Sequence, residues 1–565
     1  MRKFSEIPYT RPDLDSYKSE MNGYIEQIQN AKSAKEQFDL FTACNKLRNR
    51  ISSEQTVCFI RHSIDTTDTF YNQETEYWDE FVPLYTETDN RLYHVLLNSP
   101  YREQLETMIP KVFFSLLECS VRSFDPCIIE DLQQENKLVT DYNKLIASAK
   151  IEYENGVYNL AQLKAFTSVS DRDKRKEAYD ARMSFFEDHE RELDDIYDSL
   201  VKVRTRMAQK LGYENYIPLG YYRMSRLDYD KEMVASYRRQ ILEDIVPLTQ
   251  SLRQRQKTRL GYDRLHYYDE DYQFASGNPK PIGSFEDTIR AGQKMYHELS
   301  EETGTFIDAM MEYEMMDLVS KAGKESGGYS TYIQDEQAPF IFSNFNGTDG
   351  DVNVLTHEAG HAFQSWQSRR ITIPELSYPT MESCEIHSMS MEFFTHPWME
   401  LFFGDKADQY RFMHAKDALT FLPYGVLVDH FQHVVYENPK MTPGKRKAAW
   451  RELEKQYLLH KDYEGCDLLE RGGWWYQQGH IFAAPFYYID YTLAQVCALQ
   501  FFVRIQKNDP DAWNDYVELC KVGGTQSFVQ LCEYANLKVP FEDGCIKDIA
   551  DTMRIWLDSI DDSEC

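Results

Sequence analysis

Cationic charge, long apolar runs, strand-like alternation and paired cysteines are all scarce in this chain, and each shortage narrows what it can be. Lysine and arginine number 62 against 92 aspartates and glutamates, so the formal net charge is −30. A field of that sign repels phosphate backbones and argues against nucleic acid as a partner; it favours cationic substrates only weakly and in a salt-dependent way. The first residues include Arg2 and Lys3 but no apolar run behind them, so no signal peptide is expected. The 11 cysteines are odd in number, scattered and without a C-x-x-C pair. They read as reduced, mostly buried thiols, with the cytoplasm as the natural compartment. No repeat and no low-complexity tract is present. One stretch, residues 481–503, is long and apolar enough to suggest a bilayer span. Asp490 near its middle, Pro485 at its start and polar Thr492, Gln495 and Gln500 point instead to a buried helix lining a cavity, and no membrane partner is expected.

What the chain has in quantity is apolar and aromatic surface: 42% hydrophobic residues, 14% aromatic, 39 of them tyrosine, ample for a large interior. At 565 residues it exceeds one ordinary core, so two or more lobes are expected. The periodic signals are overwhelmingly helical, which makes the fold class mainly α. Ser33 and Glu36 form a capping box ahead of Leu40, Cys44, Leu47 and Ile51. Ser284 with Asp287 opens a helical pattern read through Ile307, Met310, Met311 and Leu318, and residues 194–213 are periodic up to Gly212. Residues 268–284 form the one long polar Gly/Pro/Ser loop, an insertion or hinge. The division placed at 190 gives an N-terminal helical lobe, 1–190, and a remainder, 191–565.

VLTHEAGHAF at 354–363 carries the chemistry: His357-Glu358-x-x-His361. With 14 histidines in the chain, chance supplies this pattern about 0.03 times. On a helix, His357 and His361 share a face and can present both imidazoles to one ion. Glu358, about 100° further round, can meet a water there instead of the ion. Asp351 and Thr348, after Gly347, are the candidate caps of this helix. Catalytic zinc, one ion per chain, needs a third protein ligand. The metzincin pattern would supply Gly at 364 and His at 367; Gln364 and Gln367 exclude it. A later carboxylate remains, with Glu382, Glu385 and Glu392 available in 378–394. Glu385 and Glu392 are seven apart on one face, so one can ligate while the other orients an imidazole. Residues 339–347 alternate as a short strand, suited either to the core or to pairing with an extended peptide. Downstream, 470–491 joins His480 to Tyr487, Tyr488 and Tyr491, which on composition alone is an aromatic core patch and, functionally, a source of oxyanion donors.

Taken in order, these residues resemble the oligoendopeptidase F and thimet oligopeptidase family of zinc metallopeptidases. The likeness rests on Asn344-Phe345, the turn from Gly347 to Asp351, His357 to His361, Glu385-x-x-Ser388-x-x-x-Glu392, and His480 followed by PFYYIDY. RMAQKLGYENY at 206–216 extends it to about residues 200–560. The resemblance implies that His357, His361 and Glu385 bind Zn²⁺ and that Glu358 is the general base. It further implies that His480, Tyr488 and Tyr491 line the substrate site. Two intervals, histidine to Glu385 and His480 to the tyrosines, are each one residue shorter than in the thimet branch, so the oxyanion donor is left open between Tyr488 and Tyr491. The implied fold is a two-lobed helical body around a deep channel, with a small β-sheet next to the metal helix; the implied substrates are short unstructured peptides. Two rivals stand beside that reading. A helical gluzincin metallocarboxypeptidase needs a cation for the terminal carboxylate, with Arg369, Arg370 and Arg471 available; a non-catalytic peptide binder has no need of Glu358.

Overall fold

The computed structural model describes residues 1–325 and 327–560, including every side chain there except those of 83 and 84. Its contacts divide the chain into two compact units, each assembled from separated stretches. The first takes Met1–Val121, Lys280–Gly404 and Cys497–Lys538; the second takes Arg122–Pro279, Asp405–Val496 and the chain from Val539 onward. The polar loop read at 268–284 contains the boundary between Pro279 and Lys280. Helices make up most of both units, and the strands form two small sheets. Strands β1 (Ile151–Tyr153) and β2 (Gly156–Tyr158) make an antiparallel pair. Strands β3 (Met316–Val319), β4 (Tyr329–Ile333) and β5 (Ala338–Phe345) form the other sheet in the order β3–β5–β4. Strand β5 runs parallel to β3 and antiparallel to β4. The strand expected at 339–347 is therefore β5, the central one. Both its edges are already hydrogen-bonded, so of its two readings the core strand is the one that holds.

In the first unit, Ser33 accepts the Glu36 amide at 3.2 Å to open the helix Ala34–Ile64. Ser284 and Asp287 complete a reciprocal capping box at the head of Phe285–Leu299. That helix does not run on to Leu318. Ser300 accepts the Thr303 amide at 3.1 Å and starts a separate helix, Glu301–Glu312, and Leu318 lies on β3. A serine side chain offered the backbone a local alternative to helix continuation, which apolar spacing alone does not register. The motif helix, Asp349–Gln367, packs on β4 and β5 and is flanked by Phe285–Leu299, where the Tyr296 hydroxyl donates to the Leu355 carbonyl at 3.2 Å. Across it runs the helix Met381–Phe394, here called the glutamate helix. Gly360 makes that crossing possible: a Cβ there would sit 2.6 Å from Ser388 Cα and 2.7 Å from the His387 carbonyl oxygen. Behind the crossing, the Tyr516 hydroxyl donates to the same His387 carbonyl at 2.9 Å, and the Tyr516 ring lies nearly parallel to Phe363.

In the second unit, the helix read at 194–213 spans Glu190–Lys210, and Gly212 takes the left-handed conformation (φ 84°) that ends it. Residues 481–503 are not one helix. A short helix, Gly479–Ala483, is followed by a turn in which Phe486 adopts φ 69°, and a new helix, Tyr488–Gln506, begins after it. Asp490 is fully buried and ion-paired with Arg226 at 2.9 Å, which explains a carboxylate within so apolar a run. No helix among the described residues is long and apolar enough to cross a membrane. No disulfide joins the ten cysteines among the described residues.

Candidate metal centre

The motif helix starts after a tight turn. Gly347 takes φ 84°, and the Asp351 carboxylate reaches back to accept the amides of Asn346 at 2.9 Å and Gly347 at 2.7 Å. Thr348 stands at the capping position without a side-chain cap bond; its own amide and hydroxyl are instead held by the Asn346 side chain at 3.2 and 2.7 Å. Of the two expected caps, Asp351 thus does the anchoring. It locks the register that carries His357, Glu358 and His361.

The crossing at Gly360 brings Glu385 of the glutamate helix to both histidines. Its Oε2 lies 3.3 Å from His357 Nε2 and 3.3 Å from His361 Nε2, and one donor atom from each of the three falls within a 4.8 Å cluster. A tetrahedral zinc with bonds of about 2.0–2.2 Å requires its ligand atoms about 3.3–3.6 Å apart. The donor set and its spacing therefore fit that ion. The same carboxylate oxygen accepts a hydrogen bond from the Ser388 hydroxyl at 2.9 Å, one helical turn on. On the far side of the His357 ring, Nδ1 meets Glu392 Oε1 at 2.6 Å, which orients the imidazole with Nε2 towards Glu385. The two glutamates seven apart thus address opposite nitrogens of one histidine. Burial works against charge on His357, but the hydrogen bonds it donates to Glu385 and Glu392 outweigh it and raise its pKa well above the usual value. Burial likewise opposes ionisation of Glu385, yet the two histidines hold it well below the carboxylate range.

Glu358 sits beside the triad, half-buried. Burial raises its pKa, a tendency the neighbouring histidines reduce and Glu385 and Glu392 reinforce. A carboxylate lifted in this way is a better proton acceptor than an exposed one.

His480, Tyr488 and Tyr491 cluster within the second unit. The imidazole lies 5.0 Å from the Tyr488 ring and 5.9 Å from the Tyr491 ring, with Tyr487 at 5.7 Å, centroid to centroid. A strained backbone positions them. Phe486 is held at its positive φ by its amide donating to Gln432 Oε1 at 2.9 Å, by Arg226 donating to its carbonyl, and by Gly220, where a Cβ would meet the Phe486 ring at 2.6 Å. Arg226 also grips Asp490 in the first turn of the next helix, so one guanidinium ties the strained turn to the helix bearing Tyr488 and Tyr491. The sequence reading missed two further residues. The Tyr424 hydroxyl donates to Gln478 Oε1 at 2.8 Å, and the Gln478 amide nitrogen lies 2.8 Å from His480 Nδ1. That arrangement makes Nδ1 the acceptor and puts the ring proton on Nε2. Burial lowers the His480 pKa, which keeps the ring neutral. Tyr424 is 54 residues from Gln478, so no local pattern announces the pair.

Two of the three arginines considered for a terminal carboxylate have other partners. Arg471 is paired with Glu190 at 2.6 Å and Asp467 at 2.8 Å. Arg369 stacks on Trp366 and donates to its carbonyl, and Arg370 is exposed.

The likeness to known proteins covers the whole chain. PZ peptidase A, solved with an inhibitor, is 53% identical over 99% of this chain and 100% of its own, with a TM-score of 0.92. A protein of Bacillus anthracis, provisionally described as oligoendopeptidase F, is 48% identical over the full length of both chains, with a TM-score of 0.88. An oligoendopeptidase F homologue of Borreliella burgdorferi is 22% identical over 93% of this chain and 88% of its own. Residues 4–124 match the Peptidase M3 N-terminal domain, and residues 165–551, which contain the triad, Glu358, His480 and the tyrosines, match Peptidase family M3. The chain is a peptidase and belongs to that family of metallopeptidases.

Proposed function

We propose that this chain is a zinc-dependent endopeptidase of short, unstructured peptides, with its catalytic machinery in residues 191–565, acting in the cytoplasm. The observation that supports it most is the pair of 3.3 Å approaches from Glu385 Oε2 to His357 Nε2 and His361 Nε2. His357, His361 and Glu385 would hold the ion, with Glu392 and Ser388 fixing two of those ligands. When bound there, zinc supplies a Lewis acid for the scissile carbonyl and lowers the pKa of water to about 7.

Glu358 takes a proton from the attacking water and delivers it to the leaving amine nitrogen. Its raised pKa suits both halves of that task, since it must accept and then release the same proton. As charge builds on the carbonyl oxygen, the neutral His480 donates from Nε2, and Tyr488 or Tyr491 donates from its phenol. Burial drives the Tyr488 pKa upward, which keeps that phenol protonated. Ten described cysteines without a disulfide agree with a reducing compartment.

The test separates the base from the ligands. Glu358→Gln is expected to retain zinc and peptide binding while turnover of a quenched-fluorescent oligopeptide falls by roughly 10²–10⁴. The wild type is expected to cut within a peptide whose C-terminus is an amide, which a carboxypeptidase leaves intact. Near-normal hydrolysis by Glu358→Gln refutes the mechanism.

A further inference from the structure

Within the second unit, a cavity of about 340 Å³ lies against Gln478, the residue that holds His480. It is small for a ligand pocket, in a range of roughly 300–1,000 Å³, and so admits one residue-sized group rather than a length of chain. Its lining includes Arg253, Glu270, His460, Lys461 and Gln477, with Trp474 as an aromatic wall 3.9 Å from the Lys461 ammonium.

Glu270 is the one carboxylate among the lining residues, and it is already shared. Lys461 approaches it at 3.0 Å, Arg253 at 3.6 Å and His460 Nε2 at 3.6 Å. Among the lining residues two cations stand against one carboxylate, and the buried Glu454 also acts on Lys461 from outside the lining. The donors are in surplus. Arg253 Nε and the Gln477 amide nitrogen are buried without a hydrogen-bond partner, and the buried His460 ring has only the 3.6 Å approach of its Nε2 to Glu270. Gln477 Oε1 is taken by Arg182 at 3.0 Å, so what Gln477 has left to offer is its N–H. Burial pushes the His460 pKa down to about 4; the ring is neutral at pH 7 and contributes one N–H rather than a charge. Buried donors of this kind call for an acceptor, and a lining with two cations to one carboxylate favours an anionic one.

We infer that this cavity is an anion subsite that takes a carboxylate of the peptide substrate, either its C-terminal group or an acidic side chain. The inference rests on the peptidase reading of His480, because Gln478 both lines the cavity and hydrogen-bonds that ring. A substrate hydrogen-bonded to His480 then lies beside Gln478, one wall of the cavity. The subsite sets specificity by charge, and it acts on affinity rather than on the chemical step.

The test measures binding, in the Glu358→Gln background so that peptides stay intact. The probes are fluorescent hexapeptides of one neutral sequence: the free acid, its C-terminal amide, and amides bearing one glutamate at each position in turn. A carboxylate-bearing peptide is expected to bind roughly 10-fold or more tightly than the plain amide. The free acid or one glutamate amide carries that preference, which names the source. Arg253→Met and Gln477→Met are each expected to shrink it several-fold and Arg253→Lys to keep most of it, while affinity for the plain amide stays within about 2-fold in all three and so reports an intact fold. Equal binding of every probe overturns the inference, as does a preference that neither methionine variant alters. The same preference in a wild-type chain that leaves all the peptides uncut upholds the subsite and refutes the endopeptidase reading, so the two fail separately.

Discussion

Gly360→Ala is the smallest substitution that tests how the centre is built. The new Cβ would start 2.6 Å from Ser388 Cα and 2.7 Å from the His387 carbonyl oxygen, both backbone atoms of the glutamate helix. Carbon atoms in contact settle at about 3.5–4.0 Å, so the two helices must part by about 1 Å. Glu385 rides on the yielding helix, one turn from Ser388, whereas His357 and His361 ride on the other. Metal–ligand distances tolerate about 0.2 Å, so a displacement near 1 Å is several times what the site can absorb. Stability should change less. Overpacking costs about 1–3 kcal/mol, and replacing a helical glycine by alanine returns about 0.5–1 kcal/mol. The expected signature is a chain that melts only slightly lower, binds zinc markedly more weakly and loses roughly 10²-fold in kcat/KM. Gly23→Ala is the control. It too is helical, but the nearest atom to its new Cβ is 4.0 Å away, so it should stabilise slightly and leave activity unchanged. Metal titration, thermal melting and peptide hydrolysis on the three proteins decide the matter. Gly360→Ala with full zinc affinity and a rate within about 3-fold of wild type would refute the reasoning.

Other outcomes are expected from the same geometry. Glu385→Ala should strip the metal and abolish turnover, Glu382→Ala should leave metal content unchanged, and Glu392→Gln should keep the metal but weaken its binding by roughly 10–100-fold, all measurable by equilibrium dialysis. Tyr488→Phe and Tyr491→Phe should differ in steady-state rate, the true oxyanion donor losing roughly 10²–10³; equal, small effects would remove both from the role. Stability should fall on acidification: His430 and His460 are held to about 4 by burial, so between their unfolded value near 6.5 and about 4 the unfolded chain binds protons that the folded chain does not. That stabilisation is complete above the unfolded pKa and is lost as pH drops towards the folded one. A urea midpoint that does not move between pH 7 and 5 would contradict it.

The spacing of His357, Glu358 and His361 determined their disposition before any fold was known, because i, i+4 and i, i+1 relations on a helix are local geometry. The same holds for Ser388 one turn after Glu385, and for the helical character of most of the chain, which periodic burial writes directly into the sequence. Glu385 and Glu392 were equally readable as a pair on one face, but which of them meets the ligand side of His357 depends on the angle and closeness of a helix crossing that Gly360 permits. Residues 339–347 showed a strand and not its place, since alternation is the same for a central strand as for an edge. Tyr424 and Gln478 meet across 54 residues, and Arg226 reaches 264 residues to Asp490. Partners so distant leave no mark on local pattern. Each compact unit is likewise assembled from three separated stretches, which no linear boundary expresses. Periodicity records which face of an element is buried; only packing decides what that face is buried against.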